Sequence, residues 1–202
     1  MGLFITFEGL DGCGKTTQIE LLRERLTNVG YNVVLTREPG GTKISERIRD
    51  IVLDVDNDDM ADTCEMMLYA AARAQLVKEV ITPSLNNDAI VLCDRFIDSS
   101  YVYQGIARGM GVDVVRRINE IALLGVYPDA TIFFNISPEE SKKRRLGDDD
   151  RIEKEKMEFH RKVYEGYLHI ASMFPERIHS IDASDGVDKV ADRVFECVKK
   201  LL

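Results

Sequence analysis

The feature that most constrains this chain is a glycine-rich segment placed directly after a short apolar run. Residues 9–16 read Gly-Leu-Asp-Gly-Cys-Gly-Lys-Thr, and the apolar run 3–7 stands before them. The apolar spacing of Ile19, Leu22 and Leu26 then predicts a helix that begins at the last glycine. A strand that passes through a glycine loop into a helix is typical of α/β proteins built on a parallel sheet.

Five such apolar runs recur, and their order predicts the fold. They span residues 3–7, 33–36, 89–93, 130–135 and 178–181. The runs are mostly continuous and not alternating, as expected of strands that are covered on both faces. Because segments with helical periodicity separate them, we predict an α/β protein whose five-stranded parallel sheet carries helices on both faces. No linker or internal repeat divides residues 1–202, which predicts a single domain.

Charge and cysteine content exclude several classes of function. The chain has 202 residues, with 27 Lys and Arg against 35 Asp and Glu, and a formal net charge of −8. This acidic balance excludes a general polyanion-binding surface, so we expect no nucleic-acid partner and a local site for any phosphate. No apolar run approaches the ~18–20 residues of a membrane helix, so no membrane partner is expected. The cysteines form no CxxC pair, and their spacing suits a reducing cytoplasm better than a zinc site or a disulfide framework.

Residues 9–16 match the pattern G-x-x-x-x-G-K-[ST] of a phosphate-binding loop, called the P-loop below. In such a loop, backbone N–H groups and a helix N-terminus converge on phosphate oxygens. Lys15 is expected to reach the β- and γ-phosphates of ATP, and the Thr16 hydroxyl is expected to bind Mg²⁺. The predicted ATP-binding residues are Gly9, Leu10, Asp11, Gly12, Cys13, Gly14, Lys15, Thr16 and Thr17.

A second magnesium ligand is predicted at the end of the third apolar run. Residues 89–93 are followed directly by Asp94 and Arg95. A carboxylate at the carboxyl end of a strand beside a P-loop is well placed to help hold Mg²⁺. We therefore predict that Thr16 and Asp94 hold the metal ion.

Three further segments narrow the choice among P-loop proteins. Residues 37–42 read Arg-Glu-Pro-Gly-Gly-Thr, residues 69–73 place a tyrosine and an arginine one helical turn apart, and residues 99–105 read Ser-Ser-Tyr-Val-Tyr-Gln-Gly. With the P-loop, these segments resemble the bacterial type of the thymidylate kinase family, from Gly9 to Tyr167. The resemblance implies a P-loop kinase fold and Mg²⁺-dependent phosphoryl transfer from ATP to dTMP. It also implies a homodimer, for which the helix at 112–125 is the candidate interface.

The same resemblance implies a role for each residue that would bind dTMP. The expected dTMP-binding residues are Asp11, Arg37, Pro39, Arg49, Tyr69, Arg73, Arg95, Ser100 and Gln104. Tyr69 would stack on thymine, and Arg73 would read the base edge together with Ser100 and Gln104. Asp11 would accept a hydrogen bond from the 3′-hydroxyl, while the other three arginines would bind the phosphate. Two alternatives stay open, namely that Tyr69 is a core aromatic and that Arg49 is solvated.

Residues 142–165 resemble the mobile lid of this family. The P-loop contains no arginine, whereas the yeast and human type carries one there and the bacterial type supplies it from the lid. The predicted catalytic residues are therefore Lys15, Arg95, Arg144, Arg145 and Arg151. Arg151 is the first choice because it belongs to the recognisable segment Asp-Arg-Ile-Glu at 150–153, although the lid's arginine spacing is not reproduced cleanly.

Two rival functions stay open at this stage. A deoxynucleoside kinase of the same fold would need a carboxylate base near a sugar hydroxyl, and Glu38 follows the second apolar run. A nucleotide-dependent switch commonly carries an N-K-x-D motif, which this chain lacks. The acidic residues 54–59 imitate a calcium loop, but Asp59 stands where that loop needs glycine.

Overall fold

The computed structural model describes residues 2–145 and 149–202. A five-stranded sheet forms its centre, made of β1 (Leu3–Glu8), β2 (Val33–Arg37), β3 (Ile90–Asp94), β4 (Ala130–Asn135) and β5 (Ile178–Asp182). All neighbouring strands are parallel, in the order β2-β3-β1-β4-β5. The predicted α/β fold with a five-stranded parallel sheet is confirmed, and β1, which leads into the P-loop, is its central strand.

Helical segments lie between consecutive strands and after the last one. The α-helices are α1 (Lys15–Asn28), α2 (Lys43–Leu53), α3 (Asp62–Leu76), α4 (Thr82–Asn86), α5 (Ile97–Ser100), α6 (Val112–Leu123), α7 (Pro138–Arg144), α8 (Met157–Met173) and α9 (Val187–Lys199). Two π-helical stretches, Val77–Ile81 and Tyr101–Ala107, continue α3 and α5. Among the described residues, no helix combines the length and the apolar character that a membrane span requires.

The continuous apolar runs are explained by a separate hydrophobic core on each face of the sheet. On one face, Phe4 and Phe133 pack against side chains of α3, α6 and α8. On the other face, Ile5 and Phe134 pack against α1 and α9. Because successive side chains of a strand point to opposite faces, both sets must be apolar, and each fully buried large side chain contributes about 1.5–3 kcal/mol.

A buried ion pair fixes α5, the short helix that follows β3. Asp98 accepts hydrogen bonds from both terminal nitrogens of Arg177 at 2.7 Å, and it also accepts one from Thr131 of β4 at 2.9 Å. Only 1% of the Asp98 side chain is exposed. Bidentate arginine–carboxylate pairs hold a defined geometry, so this contact anchors α5 to the sheet beside the P-loop.

The segment predicted to be a lid, residues 142–165, belongs in part to two regular helices. It begins inside α7, which ends at Arg144, and its last part is the first half of α8. Phe159 and Val163 of α8 are buried in the core, so this half-helix is part of the packed domain. The two ends of the predicted lid thus belong to α7 and α8, and the lid itself stays a prediction. Within it, Leu146, Gly147 and Asp148 lie outside the described residues.

The outer face of α6 carries an exposed apolar strip. Ile121 is 80% exposed, and Val114 and Leu124 are 45% and 60% exposed. A single exposed apolar side chain is ordinary, but several on one short segment mark a surface suited to protein contact.

Candidate active site

The P-loop lies at the carboxyl end of β1, between that strand and α1. Gly12 has φ 88°, in the left-handed region that favours glycine. A Cβ atom at Gly12 would lie 2.2 Å from the carbonyl oxygen of Ser141 on α7. The Ser141 hydroxyl in turn donates to the Asp11 carbonyl at 2.7 Å. The loop is therefore packed closely against α7, and position 12 leaves no room for a side chain.

Lys15 begins α1 and turns its ammonium group back into the loop. Its Nζ atom donates to the carbonyls of Gly9 and Leu10, both at 3.1 Å, and lies 3.4 Å from Asp11 Oδ1. Burial and the nearby Arg95 disfavour its charge, but neighbouring anionic groups that include Asp11 leave the pKa of Lys15 raised. The P-loop therefore holds a charged ammonium group among its own carbonyls.

Two oxygen ligands suited to a divalent cation meet beside the P-loop. The Thr16 hydroxyl lies 3.5 Å from Asp94 Oδ2, at the end of β3. Asp94 Oδ1 is buried and has no hydrogen-bond partner among the described residues. A hydroxyl and a carboxylate are hard oxygen donors of the kind that Mg²⁺ uses together with phosphate oxygens and water, so this pair fits the ion.

Arg95 adopts a backbone conformation that is rare for a non-glycine residue, with φ 66°. Its Nη2 atom donates to Asp11 Oδ1 at 2.6 Å, and its Nη1 atom donates to Ser99 Oγ and to the Tyr167 hydroxyl, both at 3.2 Å. Although burial opposes ionisation of Asp11, the charges of Arg95 and Lys15 hold its pKa below the usual range. The strained turn and these partners aim the guanidinium across the cavity beside the P-loop.

Sequence reasoning missed Glu8, which organises the partners of Arg95. Glu8 is the fully buried last residue of β1, and it accepts hydrogen bonds from the Ser99 hydroxyl at 2.6 Å and from the Tyr167 hydroxyl at 2.8 Å. Burial and the nearby Asp98 raise its pKa. An acidic residue at the end of a central apolar strand, directly before the glycine loop, was the available signal.

One cavity of about 610 Å³ brings most of the predicted residues together. Its walls include predicted residues from the P-loop, from the ends of β2 and β3, and from α2, α3, α5 and α7. These are Asp11, Gly12, Gly14, Lys15, Thr16, Thr17, Arg37, Pro39, Arg49, Tyr69, Arg73, Asp94, Arg95, Ser100, Gln104, Arg144 and Arg145. Leu10 and Cys13 are instead buried in the two cores, so their side chains do not reach the cavity.

Arg73 lies on the floor of the end of the cavity that is lined by Tyr69. Its guanidinium donates to Glu38 Oε2 from Nε at 2.9 Å and from Nη2 at 2.6 Å, and to the Ser100 hydroxyl at 3.0 Å. It also bonds Asn119 of α6, a partner that sequence reasoning missed. Burial raises the pKa of Glu38 to about 7, against the opposing charge of Arg73. Glu38 thus serves as the partner of a buried arginine.

The two arginines expected at the phosphate end flank Pro39. Arg37 is exposed and forms two hydrogen bonds to the Glu46 carboxylate, at 2.9 and 3.0 Å. Arg49 donates to the Pro39 carbonyl at 3.0 Å. Both residues line the cavity. Arg49 is therefore not a surface residue surrounded by solvent alone.

The three lid arginines have different surroundings. Arg144 donates to the carbonyls of Ala183 and Ser184 at 2.7 and 3.0 Å, and Arg145 pairs with Asp149 and Glu153. Both line the cavity. Arg151, the first choice from sequence, instead donates to Glu65 at 2.5 Å and is not among the lining residues. Its buried ion pair directs the guanidinium toward α3 and away from the P-loop.

Comparison with known proteins identifies the family. Residues 7–194 match the family model described as thymidylate kinase. The thymidylate kinase of Thermoanaerobacter sp. (strain X514) is 52% identical over 202 residues, covering 100% of this chain and 99% of that protein. That of Bacillus velezensis is 47% identical over 205 residues, covering 100% and 97%. A crystal structure of thymidylate kinase from Ehrlichia chaffeensis has a TM-score of 0.80 at 35% identity and covers 98% of both chains. The chain therefore belongs to the thymidylate kinase family.

Proposed function

We propose that this protein transfers the terminal phosphoryl group of ATP to dTMP and so makes dTDP for dTTP synthesis. The observation that carries the proposal is that one cavity is lined by two different sets of residues. One set includes the P-loop with Lys15 and Asp94, and the other includes Tyr69 and Arg73, with Arg95 between them. A nucleoside triphosphate and a pyrimidine monophosphate bound against these two sets would meet at their phosphates.

The chemistry requires positioning and charge neutralisation and no general base. A phosphate monoester with a second pKa near ~6 is already mostly dianionic at neutral pH, so its oxygen can attack directly. The difficulty is to hold two polyanions in line while their repulsion is neutralised. Lys15 and Arg95 provide positive charge on the two sides. Their side chains are only 5% and 15% exposed, so water weakens their electrostatic effect little.

Mg²⁺ belongs to the same proposal. The Thr16 hydroxyl and Asp94, whose buried Oδ1 has no partner among the described residues, are the groups that would hold it. When bound, the ion would neutralise phosphate charge and orient the transferring group. Two protein ligands are enough because Mg²⁺ keeps several waters and binds substrate phosphates.

The dTMP side is proposed to be read by fixed groups. Tyr69 offers a ring for stacking on thymine, and Arg73 and Ser100 already hydrogen-bond each other at the base end. Asp11 is proposed to accept a hydrogen bond from the 3′-hydroxyl of dTMP. The phosphate is proposed to be bound by three arginines, Arg95, Arg37 and Arg49, next to Pro39. Because their guanidinium groups are held by neighbours before dTMP binds, less entropy is lost on binding.

Among the lid arginines, we propose Arg145 as the one that stabilises the transferring phosphoryl group. It directly follows α7, and its backbone N lies 3.0 Å from where a Gly12 Cβ would be. Arg151 is bound to Glu65 on α3, and Arg144 is bound to the backbone after β5. Arg145 is therefore the one of the three whose backbone lies against the P-loop. Its partners, Asp149 and Glu153, belong to the proposed lid.

The oligomeric state and location complete the proposal. The apolar strip on α6, formed by Val114, Ile121 and Leu124, is proposed as the contact between two copies in a homodimer. We propose a cytoplasmic location, because a reducing compartment suits four cysteines that are all free thiols.

The first test is turnover of Mg-ATP with a panel of acceptors. We expect kcat/KM for dTMP to exceed that for dCMP, dAMP, dGMP and thymidine by at least ~10²-fold, since buried polar groups reject a wrong base edge. Thymidine turned over as well as dTMP would instead support a deoxynucleoside kinase. Hydrolysis of GTP with no monophosphate requirement would support a nucleotide-dependent switch.

The second test removes the two proposed charges that face the phosphates. Lys15→Ala and Arg95→Ala are each expected to lower kcat/KM for dTMP phosphorylation by at least ~10³-fold, because each removes transition-state charge stabilisation. Arg23→Ala is the matched control, since Arg23 forms an exposed ion pair with Glu20 on α1. Near-normal turnover in either variant would remove that residue from the mechanism.

The third test separates the lid arginines. Arg145→Ala is expected to lower kcat by ~10²-fold with a smaller change in KM, the pattern of an interaction made only in the transition state. Arg151→Ala is expected to leave kcat closer to the parent value, because its guanidinium is bound to Glu65 on α3 and it does not line the cavity. Arg161→Ala, which loses an exposed pair with Glu139, is the control. A larger kcat loss for Arg151→Ala than for Arg145→Ala would reverse the assignment.

The fourth test concerns the dimer. Ile121→Asp should place a charge in the proposed contact and convert a dimer into monomers, as measured by sedimentation equilibrium. Val29→Asp, the same kind of change at a 64% exposed position directly after α1, should leave the dimer unchanged. A monomeric parent protein, or a dimer that tolerates Ile121→Asp, would exclude this surface.

A further inference from the structure

Glu65 of α3 is a buried carboxylate that the mechanism above does not use. Its side chain is 1% exposed and is surrounded by donors from two parts of the chain, the helical segment 101–108 and the connection before α8. Gln104 Nε2 donates to Oε1 at 2.8 Å. Arg108 Nη2 and Arg151 Nη2 donate to Oε2 at 3.2 and 2.5 Å.

These surroundings keep Glu65 ionised. Burial alone would oppose its charge, but the hydrogen bonds from Gln104 and Arg151 and the charge of Arg108 lower its pKa. An ionised carboxylate accepts hydrogen bonds and cannot donate them. Both arginines donate to Oε2, and Oε1 accepts the short hydrogen bond from Gln104 together with a longer one, at 3.5 Å, from Arg108 Nε.

The charge of Glu65 determines which way the Gln104 amide points. A glutamine amide has an NH₂ group that donates and a carbonyl oxygen that accepts, and the two differ little in shape. Because Glu65 can only accept, the NH₂ group must face it, and the carbonyl oxygen must face the other way. Gln104 lines the cavity one helical turn from Ser100, beside Tyr69 and Arg73. The group turned away from Glu65 is therefore a hydrogen-bond acceptor at the base end.

An acceptor at this place discriminates between pyrimidines. The edge of thymine or uracil carries an N3–H donor between two carbonyl oxygens, whereas cytosine carries an unprotonated N3 acceptor beside an amino group. An acceptor from Gln104 pairs with the N3–H donor and repels the N3 lone pair of cytosine. Leaving buried polar groups unpaired or opposed is the strongest source of rejection that such a pocket has.

We propose that Glu65 is a positioning residue that sets base specificity by holding the Gln104 carbonyl oxygen toward the cavity, so that the site selects a monophosphate whose base carries an N3–H donor. The inference rests on the proposed function, because it assumes that dTMP binds at this end of the cavity. Arg108 and Arg151 act in it by keeping Glu65 charged and immobile.

The test compares Glu65→Gln with the parent protein on dTMP and dCMP. A glutamine at this position has the same shape but can both donate and accept, so Gln104 is no longer held in one orientation. We expect kcat/KM for dTMP to fall about 10- to 100-fold, mainly through KM, and the ratio of kcat/KM for dTMP over dCMP to fall by a similar factor. An unchanged ratio would overturn the proposal.

A double-mutant cycle separates positioning from general structure. In the Gln104→Leu background, Glu65→Gln is expected to change the dTMP/dCMP ratio less than twofold, because the residue through which it acts is gone. A full additional loss of selectivity there would overturn the proposal. Glu65→Asp, which keeps an acceptor-only carboxylate, is expected to retain most of the selectivity, and loss equal to that of Glu65→Gln would count against the proposal.

A measurement on the parent protein covers the case in which Glu65→Gln does not fold. The side-chain NH₂ resonances of Gln104, assigned by their absence in Gln104→Leu, should exchange slowly with solvent and move when Glu65 is titrated with acid. Rapid exchange with no response to acid would overturn the proposal. Failure of the proposed function has a different signature, because the parent protein itself would then show no preference for dTMP over dCMP.

Discussion

The cations around the cavity are held in place by carboxylates and backbone carbonyls, and the rest of the site depends on these pairings. Arg95 is held by Asp11, Arg73 by Glu38, and Lys15 by carbonyls of its own loop. Grouped cations repel one another, so each needs a nearby negative or dipolar partner to stay charged in a partly buried place. The partners also fix directions, which is what in-line transfer between two anions demands.

Those pairings require a rigid frame, and the sheet provides it. Glu8 ends β1, Asp94 ends β3, and both lie at the carboxyl ends of adjacent parallel strands, where ligands of such sheets bind. The ion pair between Asp98 and Arg177 anchors α5 in turn, so that Ser99 and Ser100 stand at fixed places beside Arg95 and Arg73. The unusual backbone angle of Arg95 persists because its neighbours on both sides are held.

The sequence was sufficient for features that are local, and it failed for features that depend on tertiary contacts. The P-loop and the alternation of strands and helices depend on residues that are neighbours in the sequence, so they were predicted correctly. The strand ends were predicted within a residue or two for the same reason. Glu38 and Glu65 become partners of arginines, and Glu8 becomes the partner of Ser99 and Tyr167, only after the chain has folded. The direction of Arg151 toward α3 has the same origin. The first half of α8 was predicted to belong to the lid because most of its residues are polar. In the folded chain its apolar side chains Phe159 and Val163 pack into the core.

The close approach of Gly12 to the Ser141 carbonyl has an evolutionary consequence. A single-nucleotide change can convert a glycine codon into an arginine codon. At this position, however, the Cβ atom of the new side chain would collide with the backbone of α7. A cation could enter the loop at this position only if α7 moved at the same time. Intermediate sequences with a larger residue and an unmoved helix would fold poorly. Position 12 of this chain is therefore closed to a cationic side chain for as long as α7 keeps its place.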